Sequence, residues 1–214
     1  MNTHALLLNW KRGENLKKVI ESIRHQSIKV EIYLWNNNPD DTHKYDVDFQ
    51  FNSPVNLKCW PRWNLASFIK QGYIFTLDDD IIFGDNKIVE DLIEYYNRID
   101  TLESEVPIIG WTGVVVNDRN YWKCKHISEP RETDTKVDIV KGRFMFTKTQ
   151  ILDKVTITRE DEDDIKISSY SNTKILPSLL RDRMVNLDEM DVGLINTPNH
   201  KDNRVVACKK YFQL

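Results

Sequence analysis

Three adjacent aspartates, Asp78, Asp79 and Asp80, interrupt an apolar stretch, with Tyr73-Ile74-Phe75-Thr76-Leu77 before them and Ile81-Ile82-Phe83 after. Carboxylates this close repel one another unless a cation or hydrogen-bond donors lie between them. A hard divalent ion, Mg²⁺ or Mn²⁺, takes oxygen ligands of this kind. Two protein carboxylates would leave most of its sphere to water and phosphate oxygens. At a strand end, side-chain alternation predicts Asp78 and Asp80 on one side and Asp79 on the other. The ordinary alternative is a solvated acidic turn, but the apolar flanks force these charges to the rim of a buried sheet and favour a site. An EF-hand loop is excluded, because Ile82 and Phe83 fall where that loop needs an oxygen ligand and a glycine. An aspartyl-nucleophile phosphatase is disfavoured, because Ile82 stands where a small hydroxyl residue belongs. A nucleotide-sugar transferase, whose metal bridges the donor's diphosphate, stays open beside other metal-dependent phosphate chemistry.

Other residues carry weaker signals. "REDEDDI" packs five carboxylates into Glu160 to Asp164, and blocks of like charge are usually solvated. Arg12 follows an apolar run and could grip a phosphate with two nitrogens, or be a surface charge. Asn36 and Asn37 are turn formers first. Arg62, between Trp60 and Trp63, could stack on an aromatic face. Gly142, between Lys141 and Arg143, breaks a strand and would admit a close backbone approach. His200, Lys201 and Arg204 are read on a polar loop that could close over a diphosphate, with His200 a remote candidate for a third metal ligand.

These residues need elements to position them. "HALLLNW" reads as a buried strand and "NLKKVIESIRHQ" as an amphipathic helix with Leu16, Val19, Ile20 and Ile23 on one face. "VEIYLWNN" is a second strand ended by a dense turn signal. That strand-helix-strand unit predicts a parallel sheet with a right-handed crossover. "VDFQF" is a short strand, "PRWNLASFIKQG" a helix opened by Pro61 and closed by Gly72, and "YIFTLDDD" the strand bearing the triplet. Asp85 is read as the cap of a helix over "DNKIVEDLIEYYNRI". "VPIIGWTGVVV" and "VDIVKGRFMFTK" read as strands around a polar, irregular stretch. A short helix is read around "REDEDDIKISSYS", and the tail from residue 196 is polar and basic. Residues 1–100 therefore read as half of a doubly wound α/β sheet, and 101–214 as a mixed extension of one domain. In open α/β sheets ligands bind beyond the carboxyl ends of the strands, where the triplet would lie.

The totals bound the partners. The chain has 214 residues, 40% hydrophobic and 29% charged, with a net charge of −3. That suits one domain with a real core and gives no reason to expect nucleic acid. Three scattered cysteines without a CxxC pair argue for free thiols in a reducing compartment. Ala5 to Leu8 is too short for a leader, and no run is long enough for a membrane span. A cytosolic protein is expected, or a soluble module of a larger one.

The ordered series "LLLNWKRGENLKKVIESI", "IYLWNNNP", "RWNL", "YIFTLDDDI", "VDIVKGRFMFTK" and "EDEDDI" resembles the glycosyltransferases of GT-A fold, most of all the exostosin-like group. The resemblance covers nearly the whole chain. The chain is also similar to the N-terminal glycosyltransferase domain of a large chlorella virus protein, which would place it in a host cytoplasm. The resemblance implies an α/β fold of GT-A type: a Rossmann-like central mixed β-sheet flanked by helices, with a smaller mixed extension on the acceptor side. It implies a UDP-sugar donor bound through residues 1–100, and a glycan acceptor and catalysis served by 101–214. Asp80, with Asp78, would hold Mn²⁺ or Mg²⁺ on the donor phosphates. Asp78 would also reach the ribose, and Asp79 would lie near the sugar. Asn9, Trp10 and Arg12 would line the nucleotide pocket, Asn36 and Asn37 would reach the uracil, and Arg62 and Asn64 would contact nucleotide or sugar. Asp163-Asp164-Ile165 matches the group's Glu-Asp-Ile element, with Asp164 as catalytic carboxylate and Asp163 as an acceptor or sugar contact. The transferred sugar would be a hexose or deoxyhexose, with configuration retained. A phosphohydrolase of nucleotide sugars and a non-catalytic carbohydrate-binding module are the competing readings.

Overall fold

A computed structural model describes residues 1–101, 105–129, 131–187 and 198–213. Strand β1 (Asn2–Asn9) runs into helix α1 (Gly13–Arg24), which returns the chain to β2 (Val30–Asn36), and β3 (Phe49–Asn52) follows. Helix α2 (Pro61–Ala66) leads to β4 (Gly72–Leu77). β1 pairs in parallel with both β2 and β4, and β2 with β3. This is the predicted crossover unit, and every residue of β4 is buried, as a parallel strand covered on both faces requires. After β5 (Ile81–Phe83), helix α3 (Ile88–Asp100) crosses to β6 (Ile108–Gly110).

The second half does not merely pack against this sheet. β7 (Gly113–Val115), β8 (Lys125–Ile127), β9 (Thr135–Val137), β10 (Ile139–Val140), β11 (Phe144–Lys148), β12 (Thr173–Ile175) and β13 (Met184–Asn186) follow in order. The main sheet has eight strands in the order β3-β2-β1-β4-β11-β6-β12-β9, so half of them come from beyond residue 100. β11 lies antiparallel between β4 and β6. Two small sheets remain, β10-β7-β8 and β13-β5.

One core layer joins α1 and α3 to one face of the sheet through Leu16, Ile20, Ile88, Leu92 and Tyr96. A second fills the other face around Trp63, Leu65, Ile74 and Met145. A third lies between helix α4 (Asp163–Ser168), the last helix α6 (His200–Phe212) and strands β7 and β10, through Ile165, Cys208, Val114 and Ile139. Helix α5 (Ser178–Arg181) precedes β13.

Several local readings need correction. Helix α2 ends at Ala66, not at Gly72: Ser67, Phe68 and Ile69 each donate to the carbonyl three residues back, which tightens and stops the helix. Asp85 does not cap α3, whose N-cap is Lys87; its carboxylate accepts from the Lys87 N–H and from Arg183. The basic tail is not a loop from residue 200 onward but α6, entered through Asn199 in the left-handed region at φ 64°. Residues 196 and 197 of that tail lie outside the described residues.

Candidate active site

The parallel strands β1, β2 and β4 end together, and the triplet lies just beyond β4. The strand stops at Leu77, and the Ile81 N–H donates to the Asp78 carbonyl at 3.3 Å, so Asp78–Asp80 form a turn. The alternation expected of an extended strand therefore does not hold. Asp79 and Asp80 share Arg12, whose Nη1 lies 2.7 Å from Asp79 Oδ1 and 3.2 Å from Asp80 Oδ2. Asp78 instead takes Arg62 Nη1 at 2.9 Å. Arg143 Nη2 approaches Asp80 Oδ1 at 3.1 Å. Burial pushes the Asp78 carboxyl upward against the pull of Arg62. Burial, opposed by Arg12 and reinforced by Asp78 and Asp80, pushes Asp79 up to about 7.

The asparagines form the scaffold beneath. Asn9 Nδ2 donates to Asn36 Oδ1 at 2.9 Å and to Asp41 Oδ2 at 2.7 Å. Asn36 Nδ2 donates in turn to the Asp41 carbonyl and to Asn52 Oδ1. Asn37 donates to the Lys58 carbonyl and accepts from the Leu57 N–H. Both are buried. They clamp the loops after β2 and before α2 and do not present open polar edges. Trp10 is half-buried beneath the Lys11 ammonium, 4.9 Å from its ring. Asn64 is half-buried on α2, its carbonyl accepting from Ser67.

A cleft of about 660 Å³ opens beside the triplet. Asp78, Arg62, Gly142, Arg143 and the whole acidic block 160–164 line it, whereas Asn9, Trp10, Arg12, Asn36, Asn37, Asn64, Asp79 and Asp80 lie outside its lining. Arg62, 2% exposed, joins the two acidic groups. While Nη1 holds Asp78, Nε and Nη2 donate to Asp163 Oδ2 at 3.1 and 3.0 Å, and Trp63 Nε1 adds a third donor at 2.8 Å. Asp164 is gripped more fully: Arg204 Nη1 and Nη2 donate to Oδ1 and Oδ2 at 3.0 and 2.9 Å, the Ile165 N–H to Oδ1, and the Gly142 N–H to Oδ2. Burial would raise its carboxyl, but Arg204 and these donors hold it below the usual carboxylate range. Asp164, read from the sequence as the catalytic carboxylate, thus has donors on both of its oxygens.

Arg204 is itself a finding. Read in the sequence as one base of a polar tail, it is buried on α6, 4.4 Å over the Tyr121 ring and bonded to the Tyr121 hydroxyl. Glu162, unassigned in the sequence beyond its place in the acidic block, also lines the cleft. Its only early signal was that place. Gly142 explains the strand break: a Cβ there would lie 2.6 Å from Arg62 Nη2. Gly142→Ala is expected to push Arg62 off its carboxylates and cost about 1–3 kcal/mol, read from urea melts. A variant as stable as the wild type would show that Arg62 yields freely.

Among the described residues no group of three or more His, Cys, Asp or Glu side chains is placed to enclose a metal. A cation at the triplet would therefore rest on one or two carboxylates and complete its sphere with substrate oxygens, as Mg²⁺ does. The donors fit that role. Four carboxylates, Asp78, Asp79, Asp80 and Asp163, face three guanidinium groups, Arg12, Arg62 and Arg143. Asp80 Oδ1 is buried without a hydrogen bond, 3.1 Å from Arg143 Nη2, while its other oxygen takes Arg12.

No protein-family profile and no curated protein matches the chain. Among solved structures it is similar to S. aureus TarS 1–349 in complex with UDP, at 14% identity and a TM-score of 0.56, over 82% of this chain and 58% of that one. It is similar to S. aureus TarS in a longer form at 13% identity and a TM-score of 0.57, over 83% of this chain and 35% of that one. The chain thus spans well under two thirds of those structures. Among the described residues no helix is long and apolar enough to cross a membrane. The exostosin-like and viral parts of the resemblance rest on the sequence segments alone, while the eight-stranded mixed sheet flanked by helices is similar to that of a glycosyltransferase structure.

Proposed function

We propose that this chain moves a hexose or deoxyhexose from a UDP-sugar to a glycan acceptor, residues 1–100 serving the donor and 101–214 the acceptor. One observation carries the reading: Asp78 of the aspartate turn beyond β4 and the acidic block where α4 begins meet in a single cleft, joined by Arg62. The UDP complex of TarS, a glycosyltransferase of similar fold, supports the choice of nucleotide. Asp80 and Asp78 would hold Mn²⁺ or Mg²⁺, which when bound offsets the negative charge of the departing diphosphate. Arg12 keeps Asp79 and Asp80 in place, and Arg143 and Lys141 line the side of the cleft that an anionic donor would meet. Asp163 and Asp164 serve by holding Arg62 and Arg204 against the cleft. The resemblance implies retention of configuration.

The test is a melting series with UDP. A ligand at about 100 times its Kd stabilises by about 2.7 kcal/mol, which in a chain of this size raises Tm by about 5–10 °C. The shift is expected with UDP and Mn²⁺ together and to collapse with EDTA. Asp80→Ala should melt near the wild-type temperature without ligand and show no shift. An equal shift in EDTA would remove the metal from the proposal, and no shift under any condition would remove the nucleotide.

A further inference from the structure

Resting on the glycosyl-transfer reading of the cleft, we infer that Glu162, rather than Asp164, is the base that takes the proton from the acceptor hydroxyl. Three carboxylates stand together where α4 begins, and their surroundings differ. Asp163 accepts three N–H groups on Oδ2. Asp164 accepts four across its two oxygens. A carboxylate so supplied with donors is a poor proton acceptor. Among the described residues, Glu162's side chain meets Arg204 Nη1, at 3.4 Å from Oε2, and His200 Nδ1, at 3.9 Å from the same oxygen. Both contacts fall on Oε2, and the residue lines the cleft. Although Glu162 is the N-cap of α4, its backbone is extended and its side chain makes no cap hydrogen bond. The side chain is 16% exposed, enough to reach a ligand and little enough to be shielded from bulk water.

The charged and titratable groups facing Glu162 are few among the described residues. Arg204 and His200 approach from α6, Asp163 and Asp164 from its own helix, and Lys58 from the loop before α2. Burial, opposed by Arg204 and reinforced by Asp164 and Asp163, pushes its carboxyl up to about 7. A base poised near the working pH both takes a proton and gives it up again. In the step, Glu162 accepts the hydroxyl proton while the acceptor oxygen bonds to the anomeric carbon. The bond from that carbon to the β-phosphate oxygen breaks, and its electron pair leaves with UDP. The proton then passes from Glu162 to solvent. A single displacement of this kind inverts the anomeric configuration, unlike the retention that the resemblance implies.

The experiment compares wild type and Glu162→Gln, which keeps the side chain's size and an oxygen toward Arg204. UDP release is followed from UDP-glucose and UDP-galactose with a panel of free monosaccharides as acceptors. The variant should lose about 10²–10⁴-fold in kcat while its UDP-dependent melting shift stays that of the wild type. The wild-type kcat/KM should rise with pH through about 7, and this acid limb should vanish in the variant. A variant that keeps more than about a tenth of kcat, below the span expected for a lost general base, would overturn the assignment, as would a product with retained configuration. A wild-type protein with no UDP-dependent melting shift would instead overturn the donor reading, and this inference with it.

Discussion

Arg62→Leu is expected to lower stability by about 3–5 kcal/mol, the cost of leaving buried carboxylates without their cation, and to abolish the melting response to UDP. Arg62 is 2% exposed and is shared by two acidic groups from distant parts of the chain. Leucine keeps part of its apolar stem but removes the Arg62 donor to Asp78 and two of the three donors to Asp163 found among the described residues, leaving Trp63 Nε1. The carboxylates must then take up protons or draw water into the core of the cleft, and either course spoils the arrangement that would receive a diphosphate. Arg62→Lys should rescue little, because a single ammonium cannot bridge two carboxylates as the planar guanidinium does. Urea melts and UDP melting shifts of both variants check this. A leucine variant within about 1 kcal/mol of wild type, well short of the loss of a buried pair, would mean that the bridge is not a fixed part of the site.

How far the site was legible follows from what kind of signal each part carries. β1 and β4 are continuous apolar runs, as central parallel strands must be, so their place and the triplet beyond them could be read directly. The acidic block was equally visible as a block. Its partners were not, because they depend on the fold. Arg62 and Asp163 are 101 positions apart, and Arg204 and Asp164 are 40 apart. Nothing local marks Arg204 as buried, since α6 mixes Val205, Ala207, Cys208 and Tyr211 with lysines and lacks a clean apolar stripe. The run "VPIIGWTGVVV" was one strand in the sequence and two in the fold. Ile108–Gly110 joins the main sheet and Gly113–Val115 the small one, with Trp111 and Thr112 carrying the chain between them. Apolar character reports burial, and burial in two different sheets reads alike.

At the triplet four carboxylates face three guanidinium groups, and where α4 begins Glu162 and Asp164 share one, Arg204. At the triplet the unbalanced charge suits a cation brought with the donor. At α4 it leaves Glu162 able to hold a proton. Each half thus lacks what its own substrate would supply or release. In the proposed reaction this division would let one cleft bind an anion and deprotonate an alcohol side by side.

Arg204→Met tests the α4 half through stability alone. It should cost about 3–5 kcal/mol at pH 7, a fall in Tm of about 6–20 °C for a chain of this length. The carboxyl of Asp164 is held below its usual range in the wild type. Its contribution is therefore present above the unfolded pKa, about 3.9, and is lost as pH falls through the lower folded value. Without Arg204 the buried carboxylate is penalised, and its folded pKa rises above the unfolded one. The deficit should then be full at pH 7 and shrink as pH falls below about 5, where protonation removes the stranded charge. Asp164→Asn added to Arg204→Met should recover much of the loss at pH 7, because it removes that charge and leaves an amide oxygen for the Gly142 N–H. Urea melts of both variants at pH 7 and pH 4 separate the possibilities. If the single variant's deficit is equal at both pH values, what was lost is the packing of α6 on Tyr121, not the pairing with Asp164.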